Sequence, residues 1–151
     1  VPSAVYQIED ICSVVDFVSV GTNDLTQYLL AVDRNNENVA DLFSSLHPAV
    51  LKALKQIAVG ASYSNTPVSV CGELAGDPLG VMALLGIGID SLSMSTGSIL
   101  KAKKVIKSFT MTEMKLMFDV AVKMSDSSDV RRMYSERLDE RGLGGLIRAG
   151  K

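Results

Sequence analysis

Apolar residues recur along this chain at two spacings, and the alternation between them predicts its elements. In residues 4–13 (AVYQIEDICS), Val5, Ile8 and Ile11 or Cys12 fall on one side of a short helix. Residues 16–20 then form an unbroken run, Asp16-Phe17-Val18-Ser19-Val20, rich in β-branched and aromatic side chains. Such a run suits a parallel strand covered on both faces. Gly21-Thr22-Asn23-Asp24 interrupts it, and helical spacing returns near Asp24 with Leu25, Tyr28, Leu29 and Val32. Residues 33–47 are polar and loop-like. Pro48 is placed for a first helical turn, followed by Val50, Leu51, Leu54, Ile57, Ala58 and Ala61 on one face. Val68-Ser69-Val70-Cys71 reads as a second strand, closed by Gly72. Asp77-Pro78 opens a helix running from Leu79 to about Leu85, ended by Gly86 and Gly88. Ser91-Leu92-Ser93-Met94 reads as a third short strand, with a helix from about Ser98 to Lys107.

Strands that alternate with helices imply parallel pairing and crossover connections, hence an α/β fold. Three strands are too few to close a (β/α)8 barrel, which needs eight. Residues 108–151 differ in character. Met111, Met114, Phe118, Ala121 and Met124 form one helical stripe, and Val130, Met133, Tyr134, Leu138 and Arg141 suggest a last helix stopped by Gly142, Gly144 and Gly145. The methionine stripe reads as core filler, since Met adapts to irregular gaps.

The balance of residues narrows the function classes. Apolar residues make up 47% of the 151, enough for a core, and net charge is −2. A polyanion-binding protein would carry a basic excess, so nucleic acid is not expected as a partner. The two cysteines, Cys12 and Cys71, form no CxxC pair and are too few for a disulfide scaffold, which suits a reducing cytosol. Apolar runs such as Val81 to Leu85 fall far short of the ~20 residues that span a bilayer, and no signal peptide is visible. The chain begins Val1-Pro2 without an initiator Met and enters structure at once, which suggests a piece of a longer protein.

In a β/α arrangement chemistry gathers where strands end, and three strand ends here are polar. At Gly21-Thr22-Asn23-Asp24 the glycine permits close backbone approach, the free N–H groups of a helix start favour an anion, and Asp24 is a hard oxygen ligand suited to Mg²⁺. The same residues also make an ordinary helix cap. Cys71, at the end of the second strand, is either an acid–base group facing the mouth or a small buried hydrophobe. Ser93, Ser95 and Thr96 either line that mouth or cap the next helix. Arg34 is placed to grip a phosphate through paired hydrogen bonds, or is simply solvated. His47, the sole histidine, reads as a helix-start residue beside Pro48. Cys12 reads as packing, and Lys101, Lys103, Lys104 and Lys107 as a solvated face.

Three segments carry a resemblance. FVSVGTNDLTQYLLAVDRNN (Phe17–Asn36) resembles the signature of phosphoenolpyruvate-utilising enzymes, VCGELAGDPLG (Val70–Gly80) their cysteine-bearing signature, and GIDSLSMS (Gly88–Ser95) their last barrel strand. All three occur in the family's order. Within the family the AVDRNN and CGELAGDPLG wording resembles enzyme I of the phosphotransferase system; pyruvate phosphate dikinase and phosphoenolpyruvate synthase are the alternatives. The ending RGLGGLIRAGK (Arg141–Lys151) is similar to that of the nitrogen-regulatory type of enzyme I.

The resemblance implies a partial TIM barrel, its last three strands with their helices, over residues 1–107, and a helical extension over 108–151. It implies that Asn23 and Asp24 hold phosphoenolpyruvate, that Asp24 ligates Mg²⁺, that Arg34 contacts the phosphoryl group, and that Cys71 is the proton donor to C3 of the enolate. A histidine in a part of the family's architecture not found here would accept the phosphate and pass it to an HPr-like phosphocarrier protein; His47 is not that residue. The family's second acidic metal ligand has no counterpart in this sequence. The isolated chain is therefore expected to be inactive. The resemblance further implies a cytoplasmic protein, a homodimer when complete, and no membrane partner. Two rival classes are an assembly module, associating through the Met111–Met124 stripe or an open sheet edge, and a short sensor that binds phosphoenolpyruvate alone.

Overall fold

The computed structural model describes residues 1–148; the last three residues of the ending quoted above, Ala149-Gly150-Lys151, lie outside the described residues. Two short helices come first, α1 (Pro2–Tyr6) and α2 (Ile8–Cys12), followed by β1 (Val18–Gly21) and α3 (Thr22–Leu30). After a 3-10 turn at Ala40–Leu42 come α4 (Pro48–Tyr63), β2 (Val68–Cys71), α5 (Glu73–Gly76), α6 (Pro78–Ile87) and β3 (Ser91–Leu92). The remainder is helical: α7 (Thr96–Ser108), α8 (Met111–Ala121), α9 (Ser127–Glu140) and α10 (Gly145–Arg148). The architecture is mixed α/β, mostly helical, around one small sheet.

That sheet has the order β1-β2-β3 and both pairings are parallel. Val18 stands opposite Val68 and Gly21 opposite Cys71, so β1 and β2 end level. Ser69 faces Ser91 and Val70 faces Leu92. Each crossover contains helix, as parallel strands require. The strand starts are tied as well: Asp90 accepts a hydrogen bond from the Val68 amide at 2.8 Å and donates its own amide to the Val68 carbonyl at 3.2 Å.

Several boundaries differ from the sequence-based expectation. The helix expected over residues 4–13 is broken at Gln7, where Val5 turns its carbonyl to the Gln56 side chain at 3.3 Å. The first strand begins at Val18, because Asp16 and Phe17 are exposed and carry no ladder. Its helix starts at Thr22, before Asp24. The third strand is reduced to Ser91–Leu92, leaving Ser93 to Ser95 as the approach to α7. Glu73–Gly76 and Gly145–Arg148 are helical turns that periodicity did not reveal.

One core runs through the described residues, from Val5 to Leu143. α6 is buried on nearly every side, since Leu79, Val81, Met82, Ala83 and Leu84 are all fully enclosed. A helix apolar all round must be covered all round, and α8 supplies much of the cover. Met114, Met117, Phe118 and Ala121 turn inward, while Met111 is 56% exposed. The stripe is therefore core, as expected, but with Met117 in place of Met111. α8 opens with a reciprocal cap between Thr110 and Glu113, and those hydrogen bonds hold the Glu113 carboxyl below the usual range. Arg141 stacks on Phe109 at 5.0 Å and donates to the Ser108 carbonyl at 2.8 Å, tying the end of α9 to the junction of α7 and α8.

Tyr134 on α9 is fully buried and its hydroxyl has no hydrogen-bond partner among the described residues. Burial pushes its phenol above the ordinary value. Ionisation then favours the unfolded chain, so stability falls once pH rises past the ordinary tyrosine value of about 10. We expect Tyr134→Phe to raise stability by about 1 kcal/mol, the cost of a buried unmade hydrogen bond, and to remove that alkaline loss. Urea midpoints at neutral and alkaline pH measure both; a lower midpoint for the variant would reveal an unrecognised partner for the hydroxyl.

Candidate functional site

Because the strands are parallel, their C-terminal ends lie on one rim. β1 runs directly into α3, β2 into α5 through Gly72, and β3 into the segment before α7. A cleft of about 600 Å³ opens there, lined by Asn23 from the first strand end, Cys71, Gly72, Glu73, Gly76 and Asp77 from the second, and Ser93, Met94, Ser95 and Ser98 from the third. Three chain segments far apart in sequence thus meet at one surface.

Cys71 is half-buried and its thiol donates to the Val20 carbonyl at 3.4 Å. It is neither tucked beneath the sheet nor isolated from the cleft. Gly72 has φ +100°, and a Cβ there would come within 2.7 Å of the Thr22 hydroxyl oxygen and 3.5 Å of Asn23 Oδ1. Glycine is therefore required both by the backbone conformation and by the close approach of the two strand ends. Asn23 Oδ1 is buried with no hydrogen-bond partner among the described residues. An unpaired buried oxygen beside an open cleft is uncommon in a folded chain.

The other expected site residues sit around this cluster. Asp24 is exposed in the first turn of α3, next to Asn23 but outside the cleft lining. Arg34 lies 3.6 Å from Glu73, which is itself part of the lining. With side-chain exposures of 43% and 78%, that ion pair is weak and exchangeable. His47 caps α4, its Nδ1 accepting from the Ala49 amide at 3.1 Å, as its place beside Pro48 predicts. Cys12 is buried in the core, and burial pushes its thiol pKa up. Lys103, Lys104 and Lys107 are exposed and Lys101 is half-exposed.

Two lining carboxylates were not singled out by sequence reasoning. Glu73 stood inside the cysteine segment without a role. Asp77 was read only as a helix start, and it does cap α6 through the Leu79 amide at 3.2 Å. Burial pushes its carboxyl pKa up, opposed by the Leu79 hydrogen bond and by Arg131 of α9 at 3.9 Å. The arginine contacts of both residues join segments remote in sequence, which no local pattern signals. For a divalent cation the rim offers hard oxygens: the Asp24 carboxylate and the orphaned Asn23 Oδ1. Among the described residues no three His, Cys, Asp or Glu side chains gather as a metal-holding group. No described helix is long and apolar enough to cross a membrane.

Known proteins resemble this chain over nearly all of its length. The chain is 43% identical over 150 residues to the phosphoenolpyruvate-dependent phosphotransferase system protein of Escherichia coli, covering 99% of this chain and 20% of that protein. It is 39% identical over 142 residues to the phosphoenolpyruvate-protein phosphotransferase of Haemophilus influenzae, covering 94% of the chain and 25% of the relative. The protein of the same name from Mycoplasma genitalium is 40% identical over 143 residues, again 25% of its length. The chain thus spans about a fifth to a quarter of these relatives. Residues 1–111 match the PEP-binding domain of PEP-utilising enzymes, and with all three polar strand ends inside that match, the chain belongs to the PEP-utilising enzyme family.

Proposed function

We propose that this chain is the phosphoenolpyruvate-binding part of a phosphotransferase that moves phosphate to a protein histidine and on to an HPr-like phosphocarrier protein, releasing pyruvate. The observation that carries the reading is the meeting of Cys71 with the unpaired Asn23 oxygen in one strand-end cleft. The relatives' names point the same way. In this reading residues 1–107 are the last three strands of a TIM barrel with their helices, and 108–151 a helical extension. The parallel β1-β2-β3 order and the rim of strand ends support it.

Asn23 and Asp24 hold the substrate's carboxylate and phosphate end. Mg²⁺ held there would supply charge neutralisation for the phosphoryl transfer. Asp24 would hold it through its carboxylate, a hard oxygen of the kind Mg²⁺ prefers. Arg34 exchanges its weak Glu73 contact for the phosphoryl group, whose charge and two-oxygen geometry suit a guanidinium better. The P–O bond of phosphoenolpyruvate breaks and the phosphoryl group passes to the histidine. The Cys71 thiol then gives its proton to C3 of the enolate, making pyruvate, and the thiolate is reprotonated from water. The whole protein is cytoplasmic and dimeric in this reading; Met111, Leu116 and Val120, exposed on α8, offer apolar surface for such a contact.

Two preparations test it. The 151-residue chain mixed with phosphoenolpyruvate, Mg²⁺ and carrier is expected to transfer nothing. A chimera of the Escherichia coli relative, with its matching 150 residues replaced by this chain, is expected to phosphorylate the carrier. A folded chimera that stays silent beside an active unmodified relative would count against the proposal.

A further inference from the structure

We propose that Thr22 is a positioning residue for Cys71, holding its peptide so that the thiol stays at the mouth of the cleft. The inference rests on the reading of Cys71 as proton donor. Thr22 is fully buried at the first position of α3, and its hydroxyl donates to the Cys71 carbonyl at 2.9 Å, from the end of one strand to the end of the next. Two residues earlier, the Val20 carbonyl accepts from the Cys71 thiol at 3.4 Å. The junction of β1 and α3 therefore grips Cys71 at two points, one on its main chain and one on its sulfur. The register between Gly21 and Cys71 sets both. Gly72 completes the arrangement, since any Cβ there would displace the Thr22 hydroxyl. Valine has nearly the same shape but no hydroxyl, so the hydrogen bond to Cys71 is what distinguishes threonine at this position. Here the oxygen is directed at the residue whose placement matters most to the chemistry.

The loss of one such hydrogen bond is worth about 1 kcal/mol, or roughly fivefold in an equilibrium. In the chain itself, alkylation of Cys71 by iodoacetamide across pH 7–10, followed by peptide mass, reads the thiol directly; buried Cys12 serves as the internal contrast. Thr22→Val and Thr22→Ala are each expected to alter the Cys71 rate about fivefold, and Thr22→Ser to keep it within twofold of the parent. In the chimera described above, Thr22→Val is expected to lower kcat for pyruvate formation about fivefold with KM for phosphoenolpyruvate little changed, and serine to rescue it. Using both valine and alanine guards against one of them failing to fold, which far-UV circular dichroism detects. Equal alkylation in all folded variants overturns the inference, as does a serine variant that behaves like valine. A Cys71→Ala chimera at full rate would instead overturn the proton-donor reading and leave the alkylation result standing.

Discussion

Replacing Cys71 with alanine in the chimera should slow pyruvate formation by about a hundredfold or more, the usual contribution of a placed general acid. The thiol is half-buried at the cleft and hydrogen-bonded to the Val20 carbonyl, so its removal takes away a proton source and little packing. Histidine phosphorylation in a single turnover should fall much less, because the P–O bond breaks before C3 is protonated. The enolate would then wait for water. The measurement is a pair of rates from one sample, pyruvate by a coupled assay and phosphohistidine by rapid quench. Pyruvate appearing at the unmodified rate would remove Cys71 from the reaction. Equal losses in both rates would assign it to substrate binding instead.

Gly86→Ala should destabilise the chain by about 2 kcal/mol. The site is in α6, where alanine would ordinarily gain about 1 kcal/mol over glycine from helix propensity. The sign reverses because of what faces it. An added Cβ would lie 2.5 Å from the Met114 carbonyl oxygen and 2.8 Å from the Phe118 Cβ, both on α8. A backbone oxygen cannot swing aside as a side-chain end does, so the two helices must separate, and overpacking of that kind costs about 1–3 kcal/mol or more. A lower urea midpoint with an unchanged slope is the expected signature. A midpoint at or above the parent's would mean that α8 yields freely.

Much of this fold is legible in the order of residues. Val18–Val20 and Val68–Val70 are short β-branched runs, and the helices between them carry clear apolar faces. Once the strands are parallel, their ends must share a side, which is why Asn23 and Cys71 were readable as neighbours. The errors arose where tertiary contact overrides local pattern. Asp16 and Phe17 continue an apolar-looking run but lie beyond the reach of β2. Met111 belongs to the stripe by spacing, yet stands at the solvent-facing start of α8. What could not be read at all are pairings across long sequence gaps. Arg34 with Glu73, Asp77 with Arg131, and the Thr22 hydroxyl with the Cys71 carbonyl each join separate segments. Periodicity reports which face a residue occupies, not which distant residue it meets.

The enclosure of α6 by α8 also bears on inheritance. A recombination breakpoint between these helices would set one relative's α6 against another's α8, and the tight approach at Gly86 leaves little room for a mismatched pair. The two stretches are therefore expected to exchange between relatives more readily together than apart.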